Sequence, residues 1–161
     1  MKIAHAVLVC AVAALLAACA PWGRPLTDGD RSLVTTDVQL SASKVHPGAP
    51  FDIVVTIHNS GPALNLSFRN LEQFFYRIVG EEGIVHFWPR EGAPAGSSLF
   101  IGTDASVSHG FRFPGTIPAD PEEPWDQLLR RQLLPGEYWV EAGLREHGDL
   151  AWGAARLVVA R

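Results

Sequence analysis

Cysteine is almost missing from this sequence: Cys10 and Cys19 are the only two in 161 residues. Cys10 lies inside an apolar N-terminal run, so a chain trimmed of that run keeps Cys19 alone, and a disulfide framework is excluded. A domain exported without crosslinks relies on its hydrophobic core. Basic charge is also short. Lys and Arg number 13 against 17 Asp and Glu, a net charge of −4, and losing Lys2 with the leader takes this to −5. That balance argues against nucleic acid or an anionic surface as the main partner. Catalytic signatures are missing too. There is no glycine-x-serine-x-glycine elbow and no glycine-rich phosphate loop. Gly96-Ser97-Ser98 reads as a loop, and the acidic pairs Glu81-Glu82 and Glu122-Glu123 read as solvated turn residues. The six histidines, His5, His46, His58, His86, His109 and His147, include no two at the i, i+2 or i, i+4 spacing of metal ligands. The expectation is a chain with no metal, no cofactor and no enzymatic activity; a hydrolase would need a nucleophile–base pair that is not offered.

What is present begins at the N-terminus. Met1-Lys2 precedes an apolar run from Ile3 to Ala18, which closes as Leu16-Ala17-Ala18-Cys19. A charged start, an apolar stretch and small residues before a cut describe an export signal. The run falls short of the ~20 residues of a membrane span and is followed by Pro21, Gly23 and Pro25. Ordinary cleavage after Ala20 would place Pro21 behind the cut, a poor residue there. A cysteine directly after Leu-Ala-Ala resembles the lipobox of bacterial lipoproteins, in which the signal is cut before the cysteine and acyl chains are attached to it. The resemblance implies a signal peptide over residues 1–18, lipid attachment at Cys19, and a bacterial envelope protein held to the membrane through its N-terminal lipid. Ala20 is not an aspartate, so in a diderm cell the expected address is the outer membrane. Residues 19–34, with Pro21, Gly23, Pro25, Asp28, Gly29 and Asp30, show no periodicity and read as a flexible tether spanning on the order of 20 Å.

From Thr35 onward the hydrophobic period is two. Val38, Leu40 and Ala42 alternate with Asp37, Gln39 and Ser41. Phe51, Ile53, Val55 and Ile57 alternate with Asp52, Val54, Thr56 and His58, after the turn His46-Pro47-Gly48. Asn59-Ser60-Gly61-Pro62 breaks the chain before Leu64, Leu66 and Phe68. Phe74–Val79 and Ile84–Trp88 form a hairpin across Glu81-Glu82-Gly83. Leu99 and Ile101, then Val107, His109, Phe111 and Phe113, continue the pattern. Tyr138, Val140, Ala142 and Leu144 follow Pro135-Gly136, and Leu150–Ala160 closes the domain. Trp125–Leu134 is the one helical candidate, with Trp125, Leu128, Leu129 and Leu133 on one face behind Pro124. About nine short strands with frequent turns predict an all-β domain over residues 35–161, an immunoglobulin-like antiparallel β-sandwich with one short helical segment.

Pro47-Gly48 before Phe51–Ile57, then Asn59-Ser60-Gly61 and Leu64-Asn65-Leu66-Ser67-Phe68, resembles the intracellular proteinase inhibitor (BsuPI-type) domain. Tyr76-Arg77-Ile78-Val79 with Val85–Trp88, and Pro135-Gly136-Glu137-Tyr138, continue the likeness over roughly residues 44–144. It implies an immunoglobulin-like fold and, as an alternative function, proteinase inhibition at the cell surface; it carries no inhibitory residue onto a position here. Two long connections stand apart, Pro89–Gly96 and Pro114–Glu123. Long loops are where sandwich folds place recognition. The expected partner-binding residues are therefore Trp88 and Trp125 as anchors at one shared end, with Asp120, Glu122 and Glu123 steering a basic or neutral protein partner in the envelope.

Overall fold

The structure is a computed structural model and describes residues 28–89, 95–118, 130–148 and 150–161. A single helical turn, α1 (Asp28–Arg31), leads into the strands. In chain order these are β1 (Val34–Leu40), β2 (Lys44–Val45), β3 (Phe51–Asn59), β4 (Leu64–Phe68), β5 (Phe74–Gly80) and β6 (Gly83–Trp88). Then come β7 (Ser97–Ile101), β8 (Ala105–Phe113), β9 (Thr116–Pro118), β10 (Arg130–Gln132), β11 (Gly136–Leu144) and β12 (Trp152–Val159).

The strands build an all-β, immunoglobulin-like sandwich. One layer is the antiparallel sheet β1-β3-β8; the other is the five-stranded sheet β2-β12-β11-β5-β6, antiparallel except where β2 joins β12. Two ribbons, β4-β7 and β9-β10, complete it. The register follows from the period of two. On β3, Phe51, Ile53, Val55 and Ile57 are buried while Asp52 and Val54 face out. On β11, Val140, Ala142 and Leu144 are fully buried; on the flanking strands Ile78 pairs with Val140, and Leu157, paired with Tyr138, is buried on the same side. Each such aliphatic side chain contributes roughly 1.5–3 kcal/mol by leaving water. At the end of β3, buried Asn59 ties two turns together, β3–β4 and β7–β8. Its amide donates to the carbonyls of Pro62 (2.9 Å) and Gly102 (3.0 Å), and its Oδ1 accepts from the amide of Gly61 (3.0 Å).

The sequence expectation needs correction at both ends of the helical and loop assignments. Arg130–Gln132, read as the end of a helix, is a strand paired with Thr116–Pro118, which was read as part of a loop. Ile117 and Leu133 are both buried here, so non-local pairing overrides local helical periodicity. Leu133 and Leu134 are not helical either, and the rest of the expected helix, residues 125–129 with Trp125, lies outside the described residues. The tether reading also changes: Asp28–Arg31 is helical, and Val34 is already a buried residue of β1. Cys19 and the stretch to residue 27 lie outside the described residues.

Candidate functional site

The two sheets do not close symmetrically. Strands β6 and β8 are edges, and an aromatic seam fills the side between them. Tyr76 and Trp88 stack (6.1 Å, 15°), and each ring also meets Phe111, at 5.1 and 5.2 Å respectively. His86 lies against Phe113 (5.6 Å), and its Nε2 is 3.2 Å from the Tyr76 hydroxyl. His109 stacks on Phe74 (4.9 Å, 8°), and its partial burial lowers its pKa below the ordinary histidine value. Burial pushes the Tyr76 hydroxyl well above the ordinary tyrosine range, so it stays protonated. Trp88 is thus half-buried and packed against the core, with a cis peptide to Pro89.

Along this seam β6 and β8 run in opposite senses, because His86 meets Phe113 while Trp88 meets Phe111. The chain therefore leaves Trp88 and Phe113 in opposite directions. Residues 90–94 and 119–129, which make up most of the two long connections, lie outside the described residues. Asp120, Glu122, Glu123 and Trp125 lie outside the described residues, so of the expected partner-binding set only Trp88 is placed.

A second feature is a cavity of about 290 Å³ beside the β5–β6 turn, lined by Glu81, Val85, Ile117, Arg131, Leu133 and Tyr138 among others. The Tyr138 hydroxyl donates to the carbonyl of Leu134 (2.9 Å). Burial raises the pKa of Tyr138, and the charge of Arg131 works the other way. Among the described residues, no three His, Cys, Asp or Glu side chains gather as metal ligands do.

The third feature is the outer face of the five-stranded sheet. Because Val140 and Ala142 point inward on β11, Trp139 and Glu141 point outward. Trp139 is 52% exposed, Trp152 on β12 is 40% exposed, and Ile84 on β6 is 56% exposed. Arg77 on β5 sits between them. Its Nε donates to Glu141, and its guanidinium carbon lies 4.2 Å from the centre of the Trp152 ring. Phe75 meets both Phe87 (5.8 Å) and Trp152 (5.7 Å). Gly143 stands between Phe75 and Trp152 in register, and its missing side chain leaves room for the close approach of the Ala151 carbonyl and the Trp152 backbone. Beside Trp139, Arg156 pairs with Glu137. Sequence reasoning directed to long loops passes over this face. The signal was nevertheless present, since an inward Tyr138, Val140 and Ala142 forces Trp139 outward.

No protein-family model and no curated protein matches the chain. Among solved structures it is similar to the sporulation control protein Spo0M from Bacillus subtilis, with 14% identity and a TM-score of 0.50, covering 80% of this chain and 50% of that one. It is also similar to a cycloisomaltooligosaccharide glucanotransferase from Paenibacillus sp. (18% identity, TM-score 0.47, 79% of this chain and 14% of that one). A third is the CARDB domain of a Pyrococcus furiosus protein (10% identity, TM-score 0.43, 79% of this chain and 87% of that one). The chain spans half or less of the first two. At these identities the likeness concerns the fold alone.

Proposed function

We propose that this chain is a lipid-anchored protein of the bacterial cell envelope whose β-sandwich is a non-catalytic binding or scaffolding domain. The observation that carries the anchoring is Leu16-Ala17-Ala18-Cys19 at the end of the apolar run Ile3–Ala18. Acylation at Cys19 with more than one chain gives stable membrane attachment, which a single chain does not. Support for the binding role is the outer sheet face, where large exposed aromatics lie beside fixed ion pairs rather than scattered singly. The test is metabolic labelling with radioactive palmitate. Wild type should incorporate label and lose its leader, and Cys19→Ser should do neither; normal labelling of the mutant would remove the proposal.

A second reading, inhibition of a proteinase at the cell surface, rests on the sequence likeness over residues 44–144. In the fold, Pro47-Gly48 is a turn before β3, Asn59 ends β3, and Gly136–Tyr138 opens β11. A proteinase panel assayed with the purified protein separates this reading, since loss of proteinase activity at stoichiometric protein would favour it.

A further inference from the structure

We infer that the outer face of β5, β6, β11 and β12 is a binding platform for a neutral glycan, a chain of pyranose rings of the kind the envelope presents. The inference deepens the proposed binding role and rests on it. Three observations combine. First, Trp139 and Trp152 are both exposed on one sheet face, Trp139 by 52% and Trp152 by 40%, with Arg77 lying over part of the Trp152 ring. Trp152 pairs with Gly143, four residues along β11 from Trp139. At about 3.4 Å per residue, and about 4.8 Å between strands, the two tryptophans leave the backbone about 14 Å apart. That is a span of several sugar rings, not one. Second, polar groups lie along the same line. Arg77–Glu141 stands between the tryptophans, and Arg156–Glu137 stands beside Trp139. Third, each cation on this line is matched by a carboxylate, so the platform offers donors and acceptors without a net charge.

These features select among occupants. A pyranose ring has a face of C–H groups, which an indole accepts, and a girdle of hydroxyls, which need donors and acceptors at its sides. A bilayer or a flat apolar protein surface would cover Arg77 and Glu141 and strip their water without replacing it, which is unfavourable for a charged pair. A second copy of this face would do the same to both copies. A glycan brings its own hydroxyls and keeps both groups hydrogen-bonded. A strongly charged partner would find no complementary net charge on this platform. Arg77 is held by Glu141 and by the Trp152 ring at once, so its donors are pre-positioned and less ordering entropy is lost on binding.

The test is titration of the full-length protein in detergent with two neutral probes, a chitooligosaccharide and a cellooligosaccharide, read by tryptophan fluorescence and calorimetry. The wild type should bind at least one probe. Trp139→Ala should weaken it about tenfold or more, and Trp139→Phe should restore part of the loss. Phe100→Ala, which removes an exposed aromatic on β7 away from the platform, should bind as wild type does. Circular dichroism and the unfolding midpoint establish that each variant is folded. No binding of either probe by the wild type, or equal binding by Trp139→Ala, overturns the inference. So does a wild-type dimer that Trp139→Ala converts to monomer, or Trp139-dependent sedimentation of Cys19→Ser with anionic vesicles. Failed glycan binding alongside normal palmitate labelling of Cys19 would discard the platform and leave the anchoring proposal standing.

Discussion

Truncating Ile57 and Val54 separately should distinguish the two faces of β3. These residues are three apart on the same strand, and the structure gives them opposite surroundings: Ile57 is fully buried between the sheets, whereas Val54 is 40% exposed. Ile57→Ala removes three carbons. At ~0.8 kcal/mol per buried CH₂ the transfer loss alone is about 2.4 kcal/mol. The neighbours of Ile57 belong to both sheets and cannot collapse freely, so a cavity cost adds to this and places the total at about 3–4 kcal/mol. Val54→Ala removes two carbons that are only partly shielded from water, and leaves no enclosed void, so it should cost about 1 kcal/mol or less. Urea unfolding followed by tryptophan fluorescence should move the midpoint strongly for Ile57→Ala and slightly for Val54→Ala, with the slope unchanged. Equal midpoints would refute the register, because a one-residue slip exchanges the faces of the whole strand.

Asn59→Ala should cost about 2–3 kcal/mol, measured by the same unfolding, because the buried amide of Gly61 and the carbonyls of Pro62 and Gly102 each lose a partner. Gly143→Ala should destabilise by about 1–3 kcal/mol, since a Cβ there would lie 2.1 Å from the carbonyl oxygen of Ala151; a thermal melt matching wild type would contradict the close approach. Trp88→Ala should lower stability by about 2 kcal/mol through loss of the stack on Tyr76 and Phe111, visible as an earlier urea midpoint. His109 is lowered below its unfolded value of 6.5, so the unfolded chain takes up its proton first. Stability should therefore be full above pH 6.5 and fall as pH drops from there through the folded-state pKa. Unfolding midpoints at successive pH values should show a flatter profile for His109→Phe, which keeps the ring stack without the titration.

How far the sequence reaches is decided by the range of the interaction involved. The face that each residue of β3, β4 and β11 presents follows from alternation, a property of adjacent residues, and Phe51–Ile57 and Val140–Leu144 are buried where alternation puts them. The β5–β6 hairpin is similarly local, joined by Glu81-Glu82 between the paired Gly80 and Gly83. Arg130–Gln132 fails the same treatment because its state depends on Thr116–Pro118, and no periodicity within either segment reports the other. The outer platform divides along the same line. That Trp139 points away from Val140 is local information. That its neighbours include an Arg77–Glu141 pair is not, because the partners are 64 residues apart in the chain and meet only once β11 is inserted between β5 and β12. Gly143 makes the point most sharply. In the sequence it is a gap in an otherwise regular strand; in the sheet it is the register partner of both Phe75 and Trp152, and the place where the Ala151 carbonyl comes too close for a side chain. A lone exposed tryptophan is ordinary on any surface. The chemistry assigned to this one comes from what the sheet assembles around it.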